Sequence, residues 1–361
     1  MGVLKLRAAE ECAYDIVSLG EVMLRFDPGD DRIAQTRHFR VWEGGGEYNV
    51  ARGLRRVFGK RAAVVTAFVD NPVGRLAEDL MLQGGVDLQY VLWREYDGLG
   101  VEARNGMYFM ERGFGVRNGL ACMDRGHTAV SQMKPGDVDW DAIFSRGVRV
   151  FHTGGIMAAI SASAADVVRE GMAAAKRHGV AVSYDCNYRA SLWKAKGGRT
   201  ASVAMNRELA AHADILFGHD GDLAAELGEA SQRPPSHTLA SYREMAARIV
   251  KDFPNVKVIA TTTRVPHTAS RNDFGAFGYL AGECFEAREL KDLAIFDRVG
   301  GGDGFASGVL AGLMEERGMD WALNAGVAHG ALVMSMAGDN SYATRADIER
   351  VMSGGSAGAQ R

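Results

Sequence analysis

Cysteine and proline are scarce in this chain of 361 residues, with four and seven copies respectively, and neither sign of charge dominates. The four cysteines, Cys12, Cys122, Cys186 and Cys284, lie far apart with no CxxC pair. That spacing argues against a zinc knuckle and against a dense disulfide framework, and reduced thiols in a cytoplasmic compartment are the expectation. With 42 basic residues against 45 acidic ones, the formal net charge is -3. Bulk electrostatics therefore call for neither a nucleic acid nor an anionic membrane as partner. No stretch approaches the ~20 apolar residues that span a bilayer, and the opening MGVLKLRAAEECAY has no apolar run of signal-peptide length. A cytoplasmic protein is the simplest reading. Apolar residues make up 47% and charged residues 24%, the proportions of a folded globular chain. Its length allows one large domain with an appendage, or two ordinary ones.

Glycine is abundant instead, with 45 copies gathered in a few short runs. Between those runs, short apolar stretches alternate with longer amphipathic ones, the pattern of an α/β protein with a layered sheet. Tyr14 to Leu19, Ala62 to Val69, Val148 to His152, Val180 to Tyr184, Asp214 to Phe217 and Val256 to Thr261 read as strands. Most are nearly continuous β-branched or aromatic runs, as expected of parallel strands covered on both faces. Ala165 to His178 and Tyr242 to Phe253 carry apolar residues at helical spacing, and the last third reads as mostly helix. Two stretches, Val22 to Trp42 and Gly100 to Met123, break the alternation with mixed polar and aromatic residues and strand-like fragments such as MYFMER. They read as one small β-rich flap built from two insertions, or else as ordinary surface loops.

The run Asp297 to Gly308, DRVGGGDGFASG, leads directly into the helical VLAGLMEERG. Glycines before a helix leave backbone N–H groups free to converge on an anion, and the helix dipole adds to the attraction. A carboxylate at such a mouth repels a resting phosphate, so Asp303 needs a reason to be there. A base that takes the proton of an attacking alcohol is one, with Gly300, Gly301 and Gly302 stabilising the transferred phosphoryl group. The plain alternative is a flexible turn with Asp303 as a helix cap. A second run, Glu43 to Gly53 (EGGGEYNVARG), precedes another helix, with Asn49 about one turn in. It suits close backbone approach to a polyhydroxy ligand. No Walker A motif occurs, and no GxGxxG follows a strand.

Together, DRVGGGDGFASG and EGGGEYNVA resemble the two signatures of ribokinase-like (PfkB) carbohydrate kinases, over residues 14 to 352 in the family's order. The resemblance implies a three-layer α/β/α domain with a mainly parallel central sheet plus a small β-lid. The kinase domain would take 14–21, 43–99 and 124–352, and the lid 22–42 and 100–123. Residues 353–361, with GGSAGAQ, read as a disordered tail. DCNYRASLW resembles a segment of 2-keto-3-deoxygluconate kinases and would set Arg189 beside an acidic substrate and the travelling phosphate. A guanidinium suits both anions. By the same resemblance Gly45, Arg125 (in RGHTA) and Asp339 (in AGDNSYAT) would contact the sugar acid with Asn49, and Tyr108 would cover it.

The resemblance further implies ATP and Mg²⁺ as cofactors and a homo-oligomer joined through the lid. The chain departs from the family at FGHDGDLAAEL, where Asp220 and Asp222 are the oxygen donors left to order Mg²⁺ through water. On the nucleotide side, ATTTRVPHTASRNDFG offers Thr262, Thr263 and Arg264 to the donor's phosphates, together with Gly300 and Gly302. The reaction expected is phosphorylation of 2-keto-3-deoxygluconate at its terminal hydroxyl. Alternatives are a family kinase for fructose or 5-keto-2-deoxygluconate, and a sugar-sensing homologue of weak activity.

Overall fold

The computed structural model describes residues 4–220, 223–228 and 237–355. Fourteen strands are described: β1 (Tyr14–Leu19), β2 (Met23–Asp27), β3 (Arg40–Gly44), β4 (Ala62–Val69), β5 (Val91–Arg94), β6 (Met107–Glu111), β7 (Leu120–Asp124), β8 (Val148–Gly154), β9 (Ala181–Asp185), β10 (Ile215–His219), β11 (Val258–Thr268), β12 (Arg271–Leu280), β13 (Glu283–Glu286) and β14 (Leu290–Ala294). The helices are α1 (Gly46–Phe58), α2 (Pro72–Gly84), α3 (Trp140–Ser145), α4 (Gly155–Ile160), α5 (Ala162–Arg177), α6 (Ala190–Trp193), α7 (Gly198–Ala210), α8 (Leu223–Glu226), α9 (Leu239–Asp252), α10 (Gly301–Met314), α11 (Met319–Val333) and α12 (Arg345–Met352).

The main sheet runs β13-β12-β11-β10-β9-β8-β1-β4-β5, with β14 also paired to β12. From β11 to β5 every neighbouring pair is parallel, and β12, β13 and β14 add an antiparallel edge. Strand period explains the layers. Ile16, Val64, Val150, Ala181, Ile215 and Val258 face one core with α1, α10 and α11, while their chain neighbours Val17, Val65, Phe151, Val182, Leu216 and Ile259 face the other with α3, α5 and α9. Burial on both faces is why those strands read as nearly continuous apolar runs. Among the described residues no helix is long and apolar enough to cross a membrane.

After β1 the chain moves outward to β4 and β5, then returns to the far side of β1 for β8 and continues to β9. That reversal opens a crevice beyond the carboxyl ends of β1 and β8, where ligands bind in sheets of this kind. A separate sheet, β3-β2-β6-β7, stands beside it. It draws its strands from both stretches that broke the sequence alternation, though β3 runs on to Gly44 and β7 to Asp124. Phe26, Phe39 and Phe109 pack together on it, with the Phe26 and Phe109 rings stacked at 5.1 Å.

Part of the last third is not helix. Residues 258–294 hold four strands, and helix resumes only at Gly301. The outer end of β11, Val265 to Thr268, is exposed and includes a proline, so it carries no strand alternation, and the glycines of β12 resemble a loop. Gly278 is glycine for packing: a Cβ there would stand 2.4 Å from Met319 Cε. Of the expected tail, 356–361 lie outside the described residues.

Candidate active site

Two helix starts meet at the crevice. Helix α1 opens at Gly46, and Gly45 before it is extended, pressed so close to β1's exit that a Cβ would lie 2.0 Å from the Glu21 carbonyl oxygen. Helix α10 opens at Gly301 after Gly300, whose φ of +81° and 1.9 Å Cβ-to-carbonyl approach to Asp339 only glycine tolerates. The first bond of this helix runs from the Gly304 N–H to the Gly300 carbonyl, 2.8 Å. Gly300 therefore makes the turn, and the amides of Gly301, Gly302 and Asp303 form the helix's open end, the ordinary place for an anion. Nothing lies within 4 Å of where a Cβ would stand on Gly302, so a ligand meets no side chain there.

Asp303 sits in the first turn of α10, and Asn49 Nδ2 donates to its Oδ2 at 2.7 Å. Burial, then the nearby carboxylates of Asp185 and Asp339, push its pKa up to about 7, while the Asn49 bond and Arg189 pull the other way. A carboxyl group poised near neutrality is suited to taking a proton from an alcohol. Asp185, at the end of β9, is raised to about 6 by burial and by Glu226. Arg189 follows on an exposed segment; its guanidinium donates to the Tyr188 carbonyl, and its charge reaches both aspartates.

The other expected contacts are placed differently from one another. Arg125 turns toward Glu21, donating twice to one carboxylate oxygen, with Nε at 2.8 Å. Tyr108 is buried, and its hydroxyl donates to Asp339 Oδ2 while Arg25 takes Oδ1. Neither Tyr108 nor Asp339 lies open to the crevice, because each is committed to the other. Asn49 is likewise occupied: its Oδ1 accepts from Asn340 Nδ2 at 3.0 Å and from the Gly45 N–H at 3.3 Å.

On the nucleotide side, Thr262 and Thr263 are consecutive in β11 and so face opposite ways. Thr263 is buried and packs where a Cβ on Gly275 would stand, whereas Thr262 and Arg264 share the other face. Asp220 is buried, with its carboxylate 2.8 Å from the His237 ring nitrogen; Asp222 lies outside the described residues. Among the described residues no group of three or more His, Cys, Asp or Glu side chains could hold a metal ion, so they offer no preformed magnesium cage.

Four groups at the site escaped sequence reasoning. Glu47, in the first turn of α1, is wedged between two strand-end glycines: a Cβ on Gly20 would stand 2.2 Å from its Oε2, and one on Gly154 2.9 Å from its Oε1. Burial above all, with Asp303 and Asp185 adding, raises its pKa to about 8. Glu21 and Arg25 lie in GEVMLRFD, where a charge amid strand apolar residues was the available signal. Asn340 stood beside Asp339 in a motif already singled out.

Comparison with known proteins follows the same lines. A family model described as pfkB family carbohydrate kinase matches residues 13–345. A 2-dehydro-3-deoxygalactonokinase from Haloferax volcanii is 30% identical, covering 96% of this chain and 99% of its own. A 2-dehydro-3-deoxygluconokinase from Thermoproteus tenax is 28% identical over 91% of each. The crystal structure of a 2-dehydro-3-deoxygluconokinase from Thermotoga maritima superposes with a TM-score of 0.86 at 29% identity, over 94% of this chain and 99% of that one.

Proposed function

The chain belongs to the pfkB family of carbohydrate kinases, and from that premise we propose that it transfers the γ-phosphoryl group of ATP to the terminal hydroxyl of a 2-keto-3-deoxy sugar acid, giving the 6-phosphate. The observation that carries the reading is Asp303: a carboxyl group of pKa about 7, held by Asn49 at the open end of a glycine-started helix. As the alcohol oxygen attacks phosphorus, its proton passes to Asp303, the bond to the β-phosphate oxygen breaks, and ADP departs. The amides of Gly301, Gly302 and Asp303 meet the charge that builds on the phosphoryl oxygens.

Arg189 and the edge of Arg125 not engaged by Glu21 are the cations that suit the acid's carboxylate. Thr262 and Arg264, sharing one face of β11, suit the donor phosphates. Magnesium would add charge neutralisation on those phosphates; since the described residues form no cage for it, it would come with the nucleotide, as this ion usually does. The four-stranded sheet is taken as a lid over the sugar. Its edge strand β7 exposes Leu120, Ala121, Cys122 and Met123, and an apolar edge of this kind favours pairing with a second copy of the chain.

The Arg125–Glu21 pair gives a neutral ketose some footing as an alternative, because that cation is already half satisfied. ADP release measured across sugar acids and fructose tests both: a keto-deoxy acid should be used fastest, and fructose turned over far faster would overturn the assignment of Arg189 and Arg125.

A further inference from the structure

Behind the crevice, one fully buried imidazole joins two of its walls. His329 of α11 is 1% exposed. Its Nδ1 lies 2.7 Å from Ser307 Oγ and its Nε2 2.8 Å from Ser341 Oγ. The Ser307 hydroxyl gives its only hydrogen to the Gly304 carbonyl, 2.8 Å away. With its hydrogen on that carbonyl, Ser307 accepts from Nδ1–H and Nε2 receives the Ser341 hydroxyl; the other tautomer reverses both bonds and keeps the same two contacts. Burial keeps the ring neutral by pushing its pKa down to about 4; the Gly304 carbonyl pulls the other way, and the charge of Arg52 on α1 adds to the lowering. Arg52 itself donates to the Ser341 carbonyl at 3.1 Å, and the Phe58 ring meets the imidazole edge-on. The ring thus stays neutral, and both of its nitrogens stay engaged, throughout the neutral range.

The chain continues past Ser341. Asn340 donates to Asn49 Oδ1, and the Gly45 N–H, a donor that cannot be anything else, donates to the same oxygen. That settles which end of the Asn49 amide is nitrogen, and the nitrogen donates to Asp303 Oδ2. Gly304, where the Ser307 bond ends, directly follows Asp303. The bonds close a ring through α10, α11, the 339–341 segment and α1, back to the base.

We propose that His329 is a positioning residue: through Ser341 and Asn340 it fixes Asn49, so that Asn49 holds Asp303 by Oδ2 and leaves Oδ1 as the oxygen that takes the substrate's proton. Gly46 borders Oδ1 without a side chain, since a Cβ there would stand 3.6 Å away. The proposal rests on the kinase reading for the substrate, though not for the ring itself.

Charged groups facing Asp303 are Glu47 from α1, Asp185 at the end of β9, Arg189 beyond it, and Asp339. None changes in Ser341→Ala, His329→Leu or Asn49→Ala, so a shift in Asp303 reports its bond to Asn49. Following the Asp303 carboxyl carbon by NMR titration should show its midpoint rising by about half to one pH unit in all three, because the lost bond favoured the ionised form. The acid limb of kcat/KM should move with it. Adding His329→Leu to Asn49→Ala should add no further shift. The proposal is overturned if Ser341→Ala and His329→Leu keep the wild-type midpoint while Asn49→Ala moves it. Should His329→Leu fail to fold, Ser341→Ala and Asn340→Ala, each a small deletion, decide the matter by the same titration. That titration needs no substrate, so a wild-type protein inactive on every sugar acid would sink the kinase assignment and leave this test intact.

Discussion

Arg25 Nη1 lies 2.8 Å from Asp339 Oδ1, joining the separate sheet's second strand to the segment that backs the glycine turn. The same guanidinium bonds Asp297, whose other oxygen accepts the Val299 N–H at 3.2 Å just ahead of that turn. Asp27 completes the group at 3.3 Å, and the Arg25 side chain is fully buried. The separate sheet is therefore tied to the glycine-turn corner twice, by Arg25 on β2 and by Tyr108 on β6, both of which hold Asp339. Removing the cation takes the charge partner from Asp297 and Asp339 in a dry interior, while Asp27 keeps Arg112 at 3.5 Å. Arg25→Met should lose about 3 to 5 kcal/mol of stability, seen as a large drop in the denaturation midpoint; an unchanged midpoint would mean that the ion group is not holding the sheet.

For Asp303→Asn, the amide cannot accept the proton, while the shape of the site is kept. We expect kcat to fall by about 10² to 10⁴ with KM little changed, the usual worth of a positioned base. Equal ADP release by both proteins would reject the assignment.

The pH dependence has a definite sign. Asp303 must be ionised to act, and its pKa is pushed up to about 7. The kcat/KM profile should therefore rise with pH through about 7 and level off above it. A profile flat from pH 5.5 to 8 would show that a group of ordinary carboxylate pKa, or none, limits the reaction.

Glu47 makes a stability prediction of the same kind. Its folded pKa is about 8, against an ordinary 4.5. Stability from the protonated form is fully present below the unfolded value and is lost as pH rises through about 8, since only the unfolded chain ionises in between. Glu47→Gln removes that titration. The variant's melting temperature should gain on the wild type as pH goes from 5 to 8.5; parallel curves would mean that the carboxyl ionises at little cost.

Gly300→Ala should be far more damaging than an exposed glycine change. The added Cβ meets a carbonyl 1.9 Å away at a φ of +81°, so the turn must move and carry the amides of Gly301 and Gly302 with it. Loss of phosphoryl transfer with a folded protein is expected, read by ADP release beside circular dichroism.

The sequence by itself determined the layers and the glycine-started helix that carries Asp303. Short, nearly continuous apolar runs such as Ala62–Val69 fit strands covered on both faces, and a triple glycine ahead of Asp303 is a local signal of a helix start with open amides. The antiparallel β11–β12 extension was hidden because its exposed end has no strand alternation. Tertiary structure alone decided which side chains spend themselves on each other. Tyr108 and Asp339 are 231 residues apart yet share a hydrogen bond, and Arg125 is claimed by Glu21 rather than standing open. Burial is the physical reason: it raises Asp303 and Glu47 toward neutrality and makes every buried polar atom find a partner, and burial is a property of the folded chain, not of any stretch of it.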